Sequence, residues 1–284
     1  MARAALGMVL AAFVAAGLLA ADARAAEPAR ARPLRLVSLN LCGDQYLVRL
    51  ADRTRIVSLS RLATDPEMSL VSGEAAGIPR NFGRAEDVIT LAPDLVLAGT
   101  YTDGSTRAML KRLGVPLVEL ELAESVEAVK AQTRRVAAAI GEEARGEAWI
   151  ARMEADLSHV PAPTDGEGRR PRAVYWDDNG FSLGAGTLVD ELLGIAGYAN
   201  LAREVGVAGY GRLPLEDLLL SRPDLVVMSA PTPGRPSRAR EVLAHPALAR
   251  ATGQGHRLYL PPALTSCGTP DVAGIVPRLA EARS

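Results

Sequence analysis

The chain contains one stretch twice, and this repeat constrains its fold more than any other feature of the sequence. The first copy covers residues 84–98 and the second covers residues 213–228. In each copy a Glu-Asp pair, beginning at Glu86 and at Glu216, suits the first turn of a helix, where the macrodipole favours acidic side chains. A proline seven positions after the Glu ends that helix. The short apolar run that follows Pro-Asp suits a strand covered on both faces. The repeat therefore predicts two similar lobes.

Composition sets the scale of these lobes. The chain has 284 residues, of which 48% are hydrophobic and 4% aromatic, and its formal net charge is −1. This length holds one large domain or two smaller ones, with enough apolar residues for a sizeable core. The nearly neutral charge argues against a nucleic-acid partner, which usually requires a basic surface.

The first 25 residues read as a cleaved signal peptide. Arg3 gives a positive start, residues 4–21 carry no charge, and Ala23-Arg24-Ala25 offers a cleavage site of small residues. The alternative is a single membrane anchor, but the Ala- and Gly-rich run followed by a small-residue site favours cleavage near Ala25. We therefore expect an exported protein.

Strand and helix patterns alternate along the rest of the chain, which predicts an α/β fold with parallel sheets covered by helices on both faces. Within the second lobe, residues 177–186 and 206–212 read as loops. The predicted segments are the signal peptide at 1–25, an N-terminal lobe at 34–123, linking helices at 124–160, a linker at 161–171 and a C-terminal lobe at 172–284.

Four features together resemble a known family. They are the leader, Arg35-Leu-Val-Ser-Leu, the doubled Pro-Asp-Leu-Val stretch, and Gly184-x-Gly186-Thr-Leu-Val-Asp-Glu-Leu-Leu-x-x-x-Gly-x-x-Asn200. Their order over residues 34–280 resembles the helix-linked periplasmic substrate-binding proteins of ABC importers, of the type that carries iron chelates, haem and cobalamin. A Gly-x-Gly without a third spaced Gly is a weak dinucleotide signal, so we interpret Gly184 and Gly186 as a tight turn before a helix.

The resemblance implies a fold and a function. Two Rossmann-like parallel-sheet lobes, joined by a single long helix, hold a metal chelate in the cleft between them. The cargo is expected to be an iron-siderophore chelate, with cobalamin or haem as alternatives, and no cofactor is bound permanently. The partners are the membrane subunits of an ABC importer, the location is the periplasm, and the protein is a monomer. The resemblance also implies that Glu86 and Glu216 dock on those subunits, although both also suit helix starts without docking.

Ligands of such sheets bind beyond the carboxyl ends of the strands, and this rule selects the candidate cleft residues. From the first lobe and then the second, they are Leu41, Cys42, Arg61, Tyr101, Thr102, Trp176, Asp178, Phe181, Tyr210, Arg212, Thr232 and Ser266.

Several candidates have a second interpretation. Trp176, Phe181 and Tyr210 either stack on a flat chelate or pack in the core. Arg61 and Arg212 either pair with carboxylate or catecholate oxygens of a siderophore or lie solvated at the surface.

Cys42 follows the first strand and Cys267 follows the last, so both are predicted on cleft-side loops of opposite lobes. Three arrangements remain open. The two residues form a disulfide, which export permits, or they are soft ligands for a metal in the cargo, or they are separate thiols.

The three histidines, His159, His245 and His256, fall outside the predicted cleft loops. A bare metal site normally gathers several His or carboxylates, so we expect none; for haem, Tyr101 or Tyr210 offers an iron ligand. The rival function is an exported thiol hydrolase, which needs a His base beside its cysteine. The sequence places none nearby and has no Gly-x-Ser-x-Gly elbow, so we expect no enzyme.

Overall fold

The structure is a computed structural model, and it describes residues 32–158, 169–230 and 257–283. From Pro33 onward these residues belong to one compact unit. The predicted leader, Thr232 and the three histidines lie outside the described residues. Across the described ranges, no helix combines the length and the apolarity needed to cross a membrane.

The first lobe is a parallel sheet with helices around it. Its elements are β1 Leu36–Ser38, α1 Leu41–Leu50, β2 Ile56–Ser60, β3 Arg80–Asn81, α2 Ala85–Ile89, β4 Leu95–Gly99, α3 Gly104–Arg112 and β5 Leu117–Leu120. The strands lie in the order β3-β2-β1-β4-β5, and every neighbouring pair is parallel.

The central strands of this sheet are buried on both faces, as their unbroken apolar runs predict. On one face Leu36 and Leu97 join a cluster that includes Tyr46 of α1. On the other face Val37 and Val96 join a second cluster. The sheet is therefore the middle layer of the lobe.

Two helices link the lobes, α4 Val126–Ile140 and α5 Glu143–Ser158. Ser125 caps the first, since its side chain accepts a hydrogen bond from the backbone N–H of Ala128 at 3.0 Å. Gly141 ends it in a left-handed conformation with φ of 70°. Helix α5 then crosses between lobes, because Trp149 packs in the first-lobe core and Met153 in the second-lobe core.

The second lobe repeats this plan and adds antiparallel strands. Its described elements are β6 Arg172–Asp177, β7 Phe181–Leu183, α6 Leu188–Ile195, β8 Ala199–Asn200, α7 Leu201–Glu204, β9 Tyr210–Arg212, α8 Leu215–Ser221, β10 Leu225–Ser229, β11 Arg257–Leu260, α9 Pro262–Thr265 and α10 Ile275–Glu281. Their order is β11-β10-β6-β7-β9, with β8 also beside β6. The two-lobed α/β fold is thus confirmed.

The loop prediction at residues 177–186 and 206–212 is wrong, because each contains a strand. Strand β7 runs antiparallel to β6 and to β9, so the sheet of the second lobe is mixed. The reversal after β6 is tight, and both Asn179 and Gly180 have positive φ, of 58° and 76°. A glycine fits at Gly180 because a Cβ there would lie 2.6 Å from the carbonyl oxygen of Leu213.

In each repeat copy, the Asp of the Pro-Asp pair forms a hydrogen bond to the backbone at the first strand of its lobe. Asp94 accepts a hydrogen bond at 2.8 Å from the backbone N–H of Arg35, just before β1. Asp224 accepts one at 2.7 Å from the backbone N–H of Arg172, at the start of β6. The repeat therefore has a structural role that does not involve the cleft.

Candidate functional site

A cavity of about 270 Å³ opens between the lobes, beyond the carboxyl ends of strands in both sheets. The first lobe contributes residues after β4 and β5, and the second contributes most of the wall. The lining residues are Tyr101, Leu122, Ala123, Tyr175, Phe181, Leu183, Thr187, Leu188, Val189, Tyr210, Thr265, Ser266, Cys267, Gly268 and Val272. All of these side chains are uncharged, and most are aromatic or aliphatic.

Aromatic side chains from the antiparallel strands form one wall. Phe181 of β7 stacks on Tyr210 of β9, with ring centroids 6.4 Å apart and planes 22° apart. The two are diagonal neighbours, since Phe181 pairs with Arg212 and Leu183 pairs with Tyr210. Phe181 is 39% exposed and Tyr210 is 45% exposed, so both rings are available for contact with a bound molecule.

Tyr101 stands on the opposite lobe, in the loop after β4, and is 86% exposed. It lines the same cavity as Phe181 and Tyr210. The geometry therefore places aromatic groups on both sides of the space between the lobes.

The floor of the cavity carries a small polar cluster. The phenol of Tyr175 donates to Oδ2 of Asp177 at 3.0 Å and lies 3.0 Å from the hydroxyl of Ser229. Ser229 also donates to the same carboxylate. Burial first, and then the charge of Asp177, raise the pKa of Tyr175 to about 12. Tyr175 therefore stays a neutral phenol at physiological pH.

Four of the predicted cleft residues line this cavity, namely Tyr101, Phe181, Tyr210 and Ser266. Cys42 adjoins it through its bond to Cys267, which is a lining residue.

The remaining candidates of the first lobe lie elsewhere. Leu41 begins α1 and is 7% exposed, so it belongs to the packed interior. Arg61 is exposed on the loop after β2. Thr102 turns its hydroxyl inward to accept a hydrogen bond from the backbone N–H of Gly99 at 2.9 Å. None of the three lines the described cavity.

Three candidates of the second lobe also lie outside the lining. Trp176 is 1% exposed, and its indole N–H donates to the carbonyl of Leu213 at 2.8 Å, so it packs in the core. Asp178 lies in the turn after β6. The guanidinium of Arg212 donates to the carbonyl of Asn179 at 2.7 Å. Thr232 lies outside the described residues.

Sequence reasoning missed several lining residues. Leu122 and Ala123 follow β5, so the same strand-end rule that selects Tyr101 is the signal that could have found them. Tyr175 lies within β6, where that rule does not select it, and Thr265 lies at the end of α9. The adjacent pair Tyr175 and Trp176 was open to either assignment, because neighbouring side chains of a strand face opposite sides.

Cys42 and Cys267 are joined by a disulfide in the structure, with sulfurs 2.16 Å and α-carbons 5.4 Å apart. This is the first of the three arrangements that the sequence left open. The bond connects the first turn of α1 to the segment that follows α9. Among the described residues, no cluster of three or more His, Cys, Asp or Glu is arranged to hold a metal ion.

Further contacts continue from the disulfide along one face of α1. Thr269 donates to the side-chain carbonyl of Gln45 at 3.1 Å, and Tyr46 donates to the carbonyl of Gly268 at 3.3 Å. We call this line of contacts between α1 and residues 267–271 the interlobe seam. The disulfide and these hydrogen bonds therefore connect the two lobes at one end of the cleft.

Glu86 and Glu216 are both exposed, in the first turns of α2 and α8. Neither lines the cavity.

The fold and the cleft between its lobes define a class of protein, that of two-lobed binding proteins. The family model for periplasmic binding proteins matches residues 36–264. The chain belongs to this family, which confirms the assignment made from the sequence. The family is one of binding proteins, in agreement with the expectation of a non-enzyme.

Known relatives differ in what their names say they bind. A cobalamin-binding protein of Halobacterium salinarum is 28% identical over 224 residues, which cover 77% of this chain and 60% of that protein. The chain thus spans less than two thirds of the length of this curated relative.

Two solved structures share the fold. The periplasmic heme-binding protein RhuT from Roseiflexus sp. RS-1 has a TM-score of 0.67 at 23% identity, covering 88% of this chain and 99% of that one. An ABC-type Fe3+-hydroxamate transport system protein from Saccharomonospora viridis has a TM-score of 0.68 at 20% identity, covering 89% and 94%.

Proposed function

We propose that this protein captures a metal chelate between its lobes in the periplasm and delivers it to an ABC importer, and that a corrinoid is the cargo the site fits best. The observation that carries this proposal is the uncharged aromatic cleft, with Tyr101 on one lobe and Phe181 and Tyr210 on the other. Flat aromatic rings on both sides suit a macrocycle that offers apolar surface to each. The cargo is bound transiently and is no permanent cofactor.

Two further points support a corrinoid. The described lining residues are uncharged, and cobalamin surrounds its macrocycle with neutral carboxamide groups, so the described lining meets no carboxylate at the rim of the macrocycle. The Halobacterium relative is named a cobalamin-binding protein. Together these points support the choice of a corrinoid over the iron-siderophore chelate expected from the sequence.

An iron chelate is the second candidate, and Tyr101 is the observation that favours it. Its phenol is 86% exposed at the mouth of the cavity. A phenolate of this kind is a known axial ligand of ferric haem iron. In this alternative, Tyr101 would coordinate the metal of haem or contact a ferric hydroxamate.

We also propose that the signal peptide at 1–25 directs export, that residues 34–123 and 172–284 act as the two lobes, and that 124–160 and 161–171 connect them. Exposure of Glu86 and Glu216, one on each lobe, supports their docking on basic side chains of the importer's membrane subunits. A single monomer offers both contacts.

The docking proposal has a direct test. Changing Glu86 and Glu216 to Ala together should abolish uptake in cells while cargo affinity in vitro stays within about twofold. Glu204→Ala is the matched control, since Glu204 is also exposed but lies at the end of α7. Normal uptake by the double variant would overturn the docking role.

The cargo is tested by titrating the purified protein with cyanocobalamin, a ferric trihydroxamate and haemin, followed by absorption spectra and calorimetry. We expect submicromolar binding of cyanocobalamin and at least about tenfold weaker binding of the iron chelates, a difference of about 1.4 kcal/mol. Tighter binding of either iron compound would replace the corrinoid with the second candidate.

A further inference from the structure

The polar cluster beneath the aromatic wall carries a second inference, which concerns what the cleft selects. Tyr175 is 4% exposed and lines the cavity through the end of β6. Its ring lies edge-on to Phe181, with centroids 6.5 Å apart and planes 90° apart. Tyr175 therefore contacts the aromatic wall through its ring and the polar groups of Asp177 and Ser229 through its hydroxyl.

The hydrogen atoms of this cluster can be counted. Tyr175 and Ser229 have one hydroxyl hydrogen each, and a carboxylate has none. Tyr175 contacts Asp177 and Ser229, both at 3.0 Å, and Ser229 contacts the same carboxylate oxygen. Whichever way the two hydrogens are assigned among these contacts, the hydrogen of Tyr175 points into the cluster. The phenol oxygen is left to accept hydrogen bonds.

The charge near the phenol also favours a hydrogen-bond donor of the cargo over a negatively charged group. The carboxylate of Asp177 stands one hydrogen bond behind the phenol, and none of the described residues that line the cavity has a positive side chain to offset that charge. A second negative oxygen brought to the floor would meet like charge in a poorly hydrated site.

We propose that Tyr175 is a specificity-determining residue, which accepts a hydrogen bond from an N–H donor such as a side-chain carboxamide of the cargo and disfavours a carboxylate at the same place. Asp177 and Ser229 are positioning residues that keep the phenol an acceptor. This inference rests on the proposed function, because it names the chemical class of chelate that the cleft takes. The neutral state of Tyr175 described above agrees with it.

Two probes of matched shape test the inference. One is cyanocobalamin and the other is its monocarboxylate, in which one peripheral carboxamide is hydrolysed. The measured quantity is the ratio of the two dissociation constants. We expect the protein to bind the carboxamide about tenfold more tightly than the carboxylate isomer that places its charge at the floor. A general packing defect would weaken both probes alike and leave this ratio unchanged.

Three variants separate the roles. Tyr175→Phe should reduce the ratio to within about threefold. Asp177→Asn should reduce it similarly, because an amide in place of the carboxylate removes the charge and can donate to the phenol. Tyr259→Phe is the matched control, since it removes a phenolic hydroxyl from an exposed tyrosine of β11 that does not line the cavity. Its ratio should equal that of the parent protein.

Each outcome decides between the two proposals. If the parent protein binds both corrinoids equally, or if the ratio survives in both Tyr175→Phe and Asp177→Asn, the role of Tyr175 is overturned while the corrinoid function stands. If the protein binds iron chelates and no corrinoid, the proposed cargo is wrong. If it then also binds an anionic ferric tricatecholate more tightly than a neutral trihydroxamate, the proposed role of Tyr175 is overturned too. Binding of none of these probes overturns both.

Discussion

The guanidinium of Arg49 in the first lobe lies 3.0 Å from the carboxylate of Asp271 in the second. The other oxygen of Asp271 accepts the indole N–H of Trp149, at 2.7 Å, from the helix that crosses between the lobes. One carboxylate thus joins both lobes and the link at the end of the interlobe seam. Arg49 and Asp271 are partly exposed, with side chains 29% and 23% accessible, whereas Trp149 is 2% exposed.

Asp271→Ala should lower the free energy of unfolding by about 1–3 kcal/mol. The reason is that the buried indole N–H of Trp149 loses its acceptor, which costs more than the loss of a surface ion pair. Urea unfolding measures the change. Glu74→Ala is the control, because Glu74 also pairs with Arg49 at 3.0 Å but is 54% exposed, and it should cost less than about 1 kcal/mol. Equal losses in the two variants would refute this account of Asp271.

Replacing both cysteines with serine should lower the unfolding free energy by about 2–5 kcal/mol. The bond between Cys42 and Cys267 closes a loop with a sequence separation of 225, so its removal releases much chain entropy in the unfolded state. Thermal unfolding with and without reductant is the measurement. Reductant should destabilise the parent protein and leave the double variant unchanged. A parent protein insensitive to reductant would argue for free thiols.

Asp44→Asn should change how stability depends on pH. Asp44 is buried, and desolvation raises the pKa of its carboxyl from the ordinary 3.8 to about 6 although Ser60 donates two hydrogen bonds to it. A raised carboxyl pKa means that the folded state binds more protons, so the contribution of Asp44 is fully present below about pH 4 and is lost as the pH rises through about 6.

Relative to the parent protein, Asp44→Asn should therefore gain stability between pH 4 and pH 7, by on the order of 2 kcal/mol. Chemical unfolding at several pH values in this window gives the difference directly. A difference that is constant across the window would mean that the hydrogen bonds from Ser60 fully offset the burial of the charge.

Aromatic residues of the cleft and of the core should respond differently to mutation. Tyr210→Ala removes half of the stacked pair with Phe181, so it should weaken cargo binding about tenfold with little change in folding stability. Trp176→Phe leaves the carbonyl of Leu213 without the indole N–H, so it should lower stability by about 1–3 kcal/mol and change affinity less than threefold. Cargo titration and urea unfolding of both variants check this. A loss of affinity in Trp176→Phe and a loss of stability in Tyr210→Ala would instead indicate that Trp176 contacts the cargo.

The repeat was sufficient to predict two lobes, because Pro-Asp and the apolar run after it act locally. The pairing of β7 with β9 was not predictable in the same way. Each has three residues, too short for a period to show, and Gly211 in β9 lowers the β propensity further. Their pairing depends on contacts distant in sequence, although Phe181 and Tyr210 both line the cavity.

The choice between Tyr175 and Trp176 shows a second limit. Consecutive strand residues face opposite sides, so one of the two had to face the cavity and the other the core. The prediction puts Trp176 at the cleft, whereas Tyr175 lines the cavity in the structure. Which of the two side chains faces the cavity depends on the register of β6 against β10, in which Val227 pairs with Tyr175. No pattern within β6 itself reveals this register.

The disulfide also imposes an order of events on the growing chain. Cys42 emerges as an early thiol, and its partner follows only after a sequence separation of 225. During this interval the first lobe can fold around its own sheet, but it has no covalent connection to the rest of the molecule. An oxidant that acts too soon finds Cys42 alone and can join it only to a foreign thiol. The bond between the lobes therefore forms only after both lobes are present, and an early mixed disulfide at Cys42 must first be exchanged for the thiol of Cys267.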